Sequence, residues 1–102
     1  MNEQLEETKR VRLILTEDPR TYVIVNLTVD KIRERIARIK KNLYKLSNIL
    51  ASTEAKLNNK DFLKNAPPDV IESEYMKYAS FKPRIYAIKE ELKHLELVLK
   101  EE

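Results

Sequence analysis

The sequence predicts a mainly α-helical protein, with a long antiparallel two-helix coiled-coil hairpin preceded by a short β-hairpin. Three observations support this fold class. Two long stretches place apolar residues at alternating spacings of three and four, a segment with two prolines separates them, and two short β-branched runs come first. We therefore divide the chain into residues 1–27, a lead segment with two short strands, and residues 28–102, an antiparallel coiled-coil arm.

The lead segment contains two predicted strands, VRLIL at 11–15 and TYVIVNL at 21–27, joined by the turn-forming sequence TEDPR. A two-stranded ribbon is marginally stable in water by itself. We therefore expect its apolar face to pack against the base of the helical hairpin, another copy of the chain or a larger body. The preceding MNEQLEETKR is compatible with a short helix or a disordered lead.

The first predicted helix follows Thr28, whose hydroxyl can accept a hydrogen bond from an early helical amide, and Asp30 adds negative charge to the first turn. Its apolar stripe keeps the alternating spacing over four heptads, which predicts a long helix with a narrow seam. The positions of this stripe are Val29, Ile32, Ile36, Ile39, Leu43, Leu46, Leu50, Thr53 and Leu57.

The second predicted helix repeats the pattern after NNKDFLKNAPPD, a segment whose Asn, Asp and Pro residues turn the chain back. Pro83 lies inside this helix, where it lacks an amide donor and crowds the carbonyl group of Ala79, so we expect a kink or a helix break near residues 80–82. The seam positions are Ile71, Glu74, Tyr78, Phe81, Ile85, Ile88, Leu92, Leu95 and Leu99.

We predict the register by placing each a position of one helix in a layer with a d position of the other. The numbers of the two residues in each layer then add up to 131. The base is then aliphatic and the tip partly polar, and we expect the tip to fray first. Arg33 is predicted to face Glu96 in a flanking ion pair. The end layers are Ile32 with Leu99, Ile36 with Leu95 and Ile39 with Leu92 at the base, and Thr53 with Tyr78 and Leu57 with Glu74 at the tip.

The composition argues against an enzyme. The 102 residues include no glycine and no cysteine, which excludes disulfides, thiol nucleophiles and glycine-rich phosphate loops. One histidine, His94, cannot form a two-histidine metal cluster, and no apolar run approaches the ~18 residues of a membrane span. We expect no catalytic residues, no metal, no cofactor and no membrane partner, and a cytoplasmic location.

The basic charge is concentrated in the middle of the chain. Residues 30–64 hold ten Lys or Arg and four Asp or Glu, although the net charge of the whole chain is only +3. Such an excess attracts polyanions such as nucleic acid or an anionic membrane face. The alternative interpretation is an ordinary solvated helix surface.

Two groups of basic residues are candidates for binding a polyanion. On the inferred helical wheel, Arg38, Lys41 and Lys45 form a stripe away from the seam, together with Tyr44, which either stacks on a base or covers its neighbours. The second group, near the tip, comprises Lys56, Lys60 and Lys64. We expect Arg33, Arg35 and Lys40 to serve in packing or ion pairs, Phe62 to cap the end of the seam, and His94 to be a plain surface residue.

The most distinctive residues surround the turn between the helices. They are Leu57 with Asn58, Phe62, Ala66 with Pro67, Val70 with Ile71, and Glu74. In this order, and in the context of residues 22–99, they resemble the C-terminal coiled-coil arm of valyl-tRNA synthetase. The chain departs from that family at residues 26–29, where a glycine is usual, and at Pro83. It also lacks the synthetase's two nucleotide-binding motifs.

The resemblance implies a non-catalytic tRNA-binding arm, either a fragment or a free-standing relative of the synthetase. In the family the arm lies along the outer corner of a valine-specific tRNA, where the D and T loops meet. Arg38, Lys41, Tyr44, Lys45, Lys56, Lys60 and Lys64 are then the candidate RNA-binding residues.

Two other functions remain open on the residues alone. The chain could be a structural coiled-coil adaptor that forms a homodimer through residues 11–27 or docks on a protein partner. It could also be the arm of a translation-associated ATPase of the ABC-F kind, against which Phe62 and the Ala66-Pro67 pair argue.

Overall fold

The computed structural model describes residues 7–101. It is mainly helical and contains a two-stranded antiparallel sheet, as predicted, and its extents are 70 × 23 × 21 Å. The elements in chain order are β1 (Thr8–Ile14), β2 (Tyr22–Thr28), α1 (Val29–Leu57), α2 (Lys60–Asn65) and α3 (Pro68–Lys100). Within this part of the chain, no helix has an apolar stretch long enough to cross a bilayer.

Strands β1 and β2 pair antiparallel, with Val11 opposite Val25 and Ile14 opposite Tyr22. Strand β1 begins at Thr8, three residues before the predicted start, so the expectation of a helix or a disordered lead is wrong for residues 8–10. The extension was not predictable because its sequence, TKR, is polar and has no apolar pattern. Residues 1–6 of the predicted lead lie outside the described residues.

The turn between the strands is held by short-range hydrogen bonds. The side chain of Asp18 accepts a bond from the backbone N–H of Arg20 at 3.0 Å and pairs with its guanidinium group, also at 3.0 Å. These bonds to Arg20 lower the pKa of Asp18. The hydroxyl of Thr16 accepts the N–H of Asp18, which closes the turn from the other side.

Helix α1 begins where the sequence predicted. The hydroxyl of Thr28 accepts a hydrogen bond from the N–H of Lys31 at 3.2 Å, and Asp30 lies in the first turn. All nine predicted seam positions of α1 are buried or half-buried, including Ile32, Leu46 and Thr53. The alternating spacing therefore identified the packed face of this helix.

Helix α3 runs without interruption through Pro83, so the predicted break does not occur, and a kink within the continuous helix stays a prediction. The turns on either side are held by packing, because Phe81 is half-buried and Ile85 is buried. The proline itself is exposed, which leaves room for its ring. All nine predicted seam positions of α3 are also buried or half-buried.

The connection between α1 and α3 contains a short helix, α2, that the sequence analysis missed. The side chain of Asn59 caps it by accepting hydrogen bonds from the N–H groups of Asp61 and Phe62 at 2.9 and 3.1 Å. Phe62 is half-buried, and α2 contacts α1. Pro68 occupies the first turn of α3, where the missing N–H costs no hydrogen bond.

The main hydrophobic cluster lies at the base of α1 and α3, where the β-ribbon joins them. Its buried members are Val11 of β1, Ile32 and Ile36 of α1, and Leu95 and Val98 of α3. Ile39, Leu92 and Leu99 pack against them, so the six residues of the three predicted base layers share one cluster. Of the three partners considered for the ribbon, the base of the helices is the one observed within the chain.

Charged residues also join α1 to α3. Arg35 pairs with Glu91 toward the base and Lys56 pairs with Glu74 toward the tip, so the order of the partners is reversed between the two helices. Glu96 pairs with Lys40 at 3.5 Å. The predicted pair between Arg33 and Glu96 is therefore wrong, because this carboxylate pairs instead with Lys40, seven residues farther along α1.

The tip of the seam is polar, as expected. Glu74 is buried beside Thr53, and its Oε2 lies 3.7 Å from the amine of Lys56 and 3.2 Å from that of Lys77. Burial alone raises the pKa of Glu74, but the hydrogen bond from Lys77 and the charges of both lysines leave the pKa below its ordinary value. Its Oε1 has no hydrogen-bond partner among residues 7–101.

Candidate nucleic-acid interface

A groove of about 860 Å³ opens between α1, α3 and the segment that follows β1. Its floor is apolar and comes from both helices, with Ile39 on α1 and Ala87 and Ile88 on α3. Leu15 forms part of the wall next to the β-turn, and 59% of its surface is exposed. The groove is therefore a mixed site, with an apolar bottom that a ligand can reach.

The rim of the groove is mainly cationic, although the exposed Glu17, which follows β1, also lines the groove. Arg38, Lys41 and Lys45 on α1 and Arg84 on α3 line it, and all four are exposed. None of the four has an ion-pair partner within residues 7–101. The guanidinium group of Arg84 lies 5.7 Å from the ring centre of Phe81, a contact that orients it on the helix surface. The two helices thus present four positive charges to one opening.

The fifth cation of the groove, Arg35, is neutralised by Glu91. The Nε of Arg35 donates to Oε2 of Glu91 at 2.6 Å, and the backbone N–H of Ile14 donates to Oε1 at 2.7 Å. Glu91 is only 4% exposed, and both carboxylate oxygens are occupied. This carboxylate therefore fixes α1, α3 and β1 together without cancelling the charges at the rim.

His94, one turn after Glu91, holds the same strand. Its Nε2 accepts a hydrogen bond from the backbone N–H of Arg12 at 2.9 Å, and the Arg12 side chain lies 3.3 Å from Nδ1. Burial, followed by the charge of Arg12, lowers the pKa of His94. The expectation of a plain surface histidine is wrong, because α3 runs along the edge of β1 and supplies acceptors to its backbone donors.

The structure brings together only part of the predicted basic stripe. Arg38, Lys41 and Lys45 share the groove, whereas Tyr44 is 70% exposed and is not among the residues that line it. The aromatic residue and the cations therefore belong to different parts of the α1 surface.

The second predicted cluster, near the tip, is divided. Lys56 lies 3.7 Å from the buried Glu74, a carboxylate that it shares with Lys77. Lys60 and Lys64 are exposed on the short helix α2 and do not line the groove.

Sequence reasoning missed Arg84, Glu91 and His94. The sequence did contain a signal for Glu91 and His94. A second stripe with spacings of four, three and four runs beside the main seam of α3, at Ala87, Glu91, His94 and Val98. Two parallel stripes on one helix indicate that it packs against two neighbours. The position of Arg84 at the groove that Arg38 also lines depends on the relative rotation of the two helices, which spacing alone does not give.

No cluster of three or more potential metal ligands occurs in residues 7–101. The groove instead offers cations and apolar surface, which is the combination that binds phosphate groups attached to a planar or apolar body.

Comparison with known proteins identifies the family. Residues 30–96 match the family described as the valyl tRNA synthetase tRNA binding arm. The chain belongs to this family. The match covers most of α1, all of α2 and most of α3, and therefore includes all four cations at the rim of the groove.

Curated relatives of this tRNA-binding arm are valine–tRNA ligases. The chain is 42% identical to the one from Borrelia garinii subsp. bavariensis over 67 residues, which is 66% of this chain and 8% of that protein. It is 38% identical to that of Treponema denticola over 64 residues, 63% of this chain and 7% of the relative. With the Mycoplasma mycoides subsp. mycoides enzyme it shares 30% identity over 91 residues, 89% of this chain and 10% of the other.

The chain thus spans a tenth or less of the length of the curated ligases it matches. No solved structure matches it.

Proposed function

We propose that the chain is a non-catalytic tRNA-binding arm, in which α1 and α3 form an antiparallel coiled-coil hairpin and the cationic groove contacts the outer corner of tRNA. The observation that carries this proposal is the gathering of Arg38, Lys41, Lys45 and Arg84 at one opening without ion-pair partners among the described residues. The description of the family as a tRNA binding arm supports the choice of ligand.

The chemistry of the groove fits RNA phosphates. A phosphate group accepts hydrogen bonds from guanidinium and ammonium groups, and each phosphate that is neutralised releases condensed counterions. Arginines on both helices allow the groove to contact the backbone from two sides. Binding of this kind depends on the shape and charge of the folded RNA more than on its base sequence.

The groove is tested with the double variant Lys45→Ala/Arg84→Ala in a fluorescence-anisotropy titration of labelled tRNA. We expect the affinity to fall at least tenfold. The matched control is Lys89→Ala/Lys93→Ala, which removes the same charge from exposed lysines of α3 that do not line the groove. Equal losses in the two variants, or no binding by the unaltered chain, would overturn the proposal.

The remaining predicted residues form a second part of the proposal. Lys60 and Lys64 on α2 extend positive charge to the tip, and Tyr44 presents an exposed ring on α1 that can stack on a base or ribose. We expect Lys60→Ala/Lys64→Ala and Tyr44→Ala each to weaken tRNA binding by about threefold to tenfold. Lys56 is expected to contribute less, since its amine is held near Glu74.

We further infer a cytoplasmic location, where aminoacylation takes place, and a preference for valine tRNA. The names of the relatives support the tRNA preference. Competition between labelled valine tRNA and unlabelled tRNAs for other amino acids tests it, since equal competition would show that the arm itself does not discriminate.

A second candidate function, a structural adaptor that forms a homodimer, is favoured by the outer edge of β2. Arg12 and Ile14 direct their N–H groups away from β2 toward α3, so their partners Ile24 and Tyr22 direct theirs away from β1. No third strand pairs with β2 among residues 7–101, and Ile24 is 48% exposed. A second copy could therefore add to this edge.

Sedimentation velocity distinguishes the two functions. A stable dimer that is abolished by Ile24→Lys and is indifferent to tRNA would support the adaptor. A monomer that sediments faster when tRNA is added would support the tRNA-binding arm and exclude the homodimer.

A further inference from the structure

We propose that the groove accommodates a single unpaired nucleotide, with the base on its apolar floor and the phosphate at its cationic rim. This proposal rests on the proposed function, because it names the part of an RNA that the groove would receive. It goes beyond a contact with the phosphate backbone, which needs positive charge but no cavity.

The floor of the groove offers an apolar surface to a ligand. Ile39 and Ile88 are half-buried, so each still presents surface to the groove, and Leu15 closes one side with most of its side chain exposed. A phosphate group gains no binding free energy from contact with an apolar surface. A nucleobase gains binding free energy there, because its flat face loses contact with water when it lies against apolar side chains.

The size of the groove supports the same ligand. Its volume of about 860 Å³ falls within the range of roughly 300 to 1,000 Å³ that is usual for sites that bind small molecules. A continuous double helix carries its phosphates on a convex surface, so the helix would touch the rim and leave the floor empty. An unstacked nucleotide is smaller than the groove, so it can enter and contact both regions.

The polar groups at the rim complete the site. Arg84 on α3 and Arg38 and Lys45 on α1 all line the groove, so both helices supply cations that a phosphate at the rim could contact. Asn42 also lines the groove, and its amide can both donate and accept hydrogen bonds at the edge of a base. One amide contacts few base atoms, so we expect weak discrimination among the four bases.

Two sources could supply this ligand, an unpaired nucleotide within the RNA or a free nucleotide. The experiment uses the full chain, labelled with ¹⁵N, and follows backbone amide shifts during titrations with AMP, inorganic phosphate, a single-stranded RNA trinucleotide and a short blunt RNA duplex. We expect the trinucleotide to shift the amide signals of Leu15, Asn42 and Ala87. Saturable shifts with AMP as well would identify the free nucleotide as a sufficient ligand, whereas shifts with the trinucleotide alone would identify the RNA segment.

The decisive variant is Leu15→Asn, which makes the wall of the groove polar without changing any charge at the rim. Its matched control is Leu97→Asn, at an exposed leucine of α3 that does not line the groove and is 51% exposed. We expect Leu15→Asn to weaken trinucleotide binding by about threefold to tenfold, because the base loses an apolar contact, and the control to leave it almost unchanged.

Three results would overturn the proposal. These are shifts and affinity with inorganic phosphate equal to those with AMP and the trinucleotide, binding of the duplex as tight as that of the trinucleotide, and equal trinucleotide binding by Leu15→Asn and Leu97→Asn. In each case tRNA binding that still depends on Lys45 and Arg84 would leave the proposed function intact. Loss of that dependence, with trinucleotide binding retained, would instead show that the proposed function had failed.

Discussion

At the scale of single residues, Glu91 joins three elements. Its carboxylate receives the guanidinium group of Arg35 from α1 and the backbone N–H of Ile14 from β1, while its own backbone belongs to α3. A buried carboxylate that lost one of these donors would be left partly unsatisfied. Glu91 therefore positions β1 through Ile14, and the charge of Arg35 offsets the cost of burying the carboxylate.

The variant Glu91→Gln tests this role. The amide oxygen of Gln can still accept from Ile14, but its NH₂ group would face the donors of Arg35, so we expect a loss of about 3 kcal/mol in the free energy of unfolding. Urea denaturation measures it. The control Glu72→Gln, at an exposed position of the same helix, should change stability by less than about 0.5 kcal/mol. Equal effects would contradict the role of Glu91.

His94 makes the stability of the chain depend on pH. Its Nε2 must be unprotonated to accept the N–H of Arg12, and a protonated ring would lie beside the Arg12 guanidinium group. Burial and Arg12 lower the pKa of His94 in the folded chain. The unfolded chain therefore binds a proton first, and the contribution of His94 is present above pH ~6.5 and is lost as the pH falls toward the lower folded pKa.

We expect the urea midpoint to fall when the pH is lowered from 7.5 to 5.5, and we expect His94→Gln to flatten this dependence. His94 is the only histidine in the chain, and the lowered pKa values of Asp18 and Glu74 place their titration below this window. The comparison is therefore specific. An unchanged pH dependence in the variant would show that another group is responsible.

At the scale of elements, α3 is continuous across a residue that disfavours helices. Pro83 has no N–H to donate to the carbonyl group of Ala79, yet the helix extends from Pro68 to Lys100. The neighbouring seam residues Phe81 and Ile85 hold the two sides of the helix against α1. Tertiary packing thus outweighs the local preference at this position.

The variant Pro83→Ala should be more stable than the unaltered chain. It restores a helical hydrogen bond and removes a ring that is exposed and makes no buried contact, so we expect a gain of up to about 3 kcal/mol. The control Ser80→Ala, at an exposed position that already has its N–H, should gain only a few tenths of a kcal/mol. A loss of stability in Pro83→Ala would mean that the proline shapes α3 in a way that α1 requires.

The elements differ in how well the sequence predicts them. The seams of α1 and α3 were predictable because a heptad pattern constrains every third or fourth residue, and the cap at Thr28 marks where the pattern starts. The start of β1 was missed because Thr8, Lys9 and Arg10 lack an apolar pattern. Helix α2 was missed because its six residues are too few to establish any periodicity.

The candidate site was predictable only on one helix. Arg38, Lys41 and Lys45 follow from the wheel of α1, but the contribution of Arg84 depends on how α3 is rotated against it. Likewise, Glu91 and His94 bind backbone N–H groups of a strand, and no side-chain pattern in β1 indicates where those donors lie.

At the scale of the whole molecule, the positive charge should determine how tRNA binding responds to salt. With four rim cations each contacting a phosphate, the logarithm of the association constant should fall with the logarithm of the salt concentration with a slope of about −3. Titrations of labelled tRNA at several NaCl concentrations measure this slope.

The variant Lys45→Ala/Arg84→Ala should make the slope shallower by about two, because each lost contact removes roughly one unit. The control Lys89→Ala/Lys93→Ala should leave it almost unchanged. A slope near zero for the unaltered chain would show that the groove does not bind phosphates.

The two bonds from α3 to the backbone of β1 also have a mechanical consequence. Because the N–H groups of Arg12 and Ile14 both donate to α3, we expect a tilt of the strands to tilt the helices with them, in a body 70 Å long. A rotation of a few degrees at the ribbon would sweep α2 through several ångströms. The orientation of the strands would therefore determine the position of α2, so a partner that holds the strands would also position the far end of the helices.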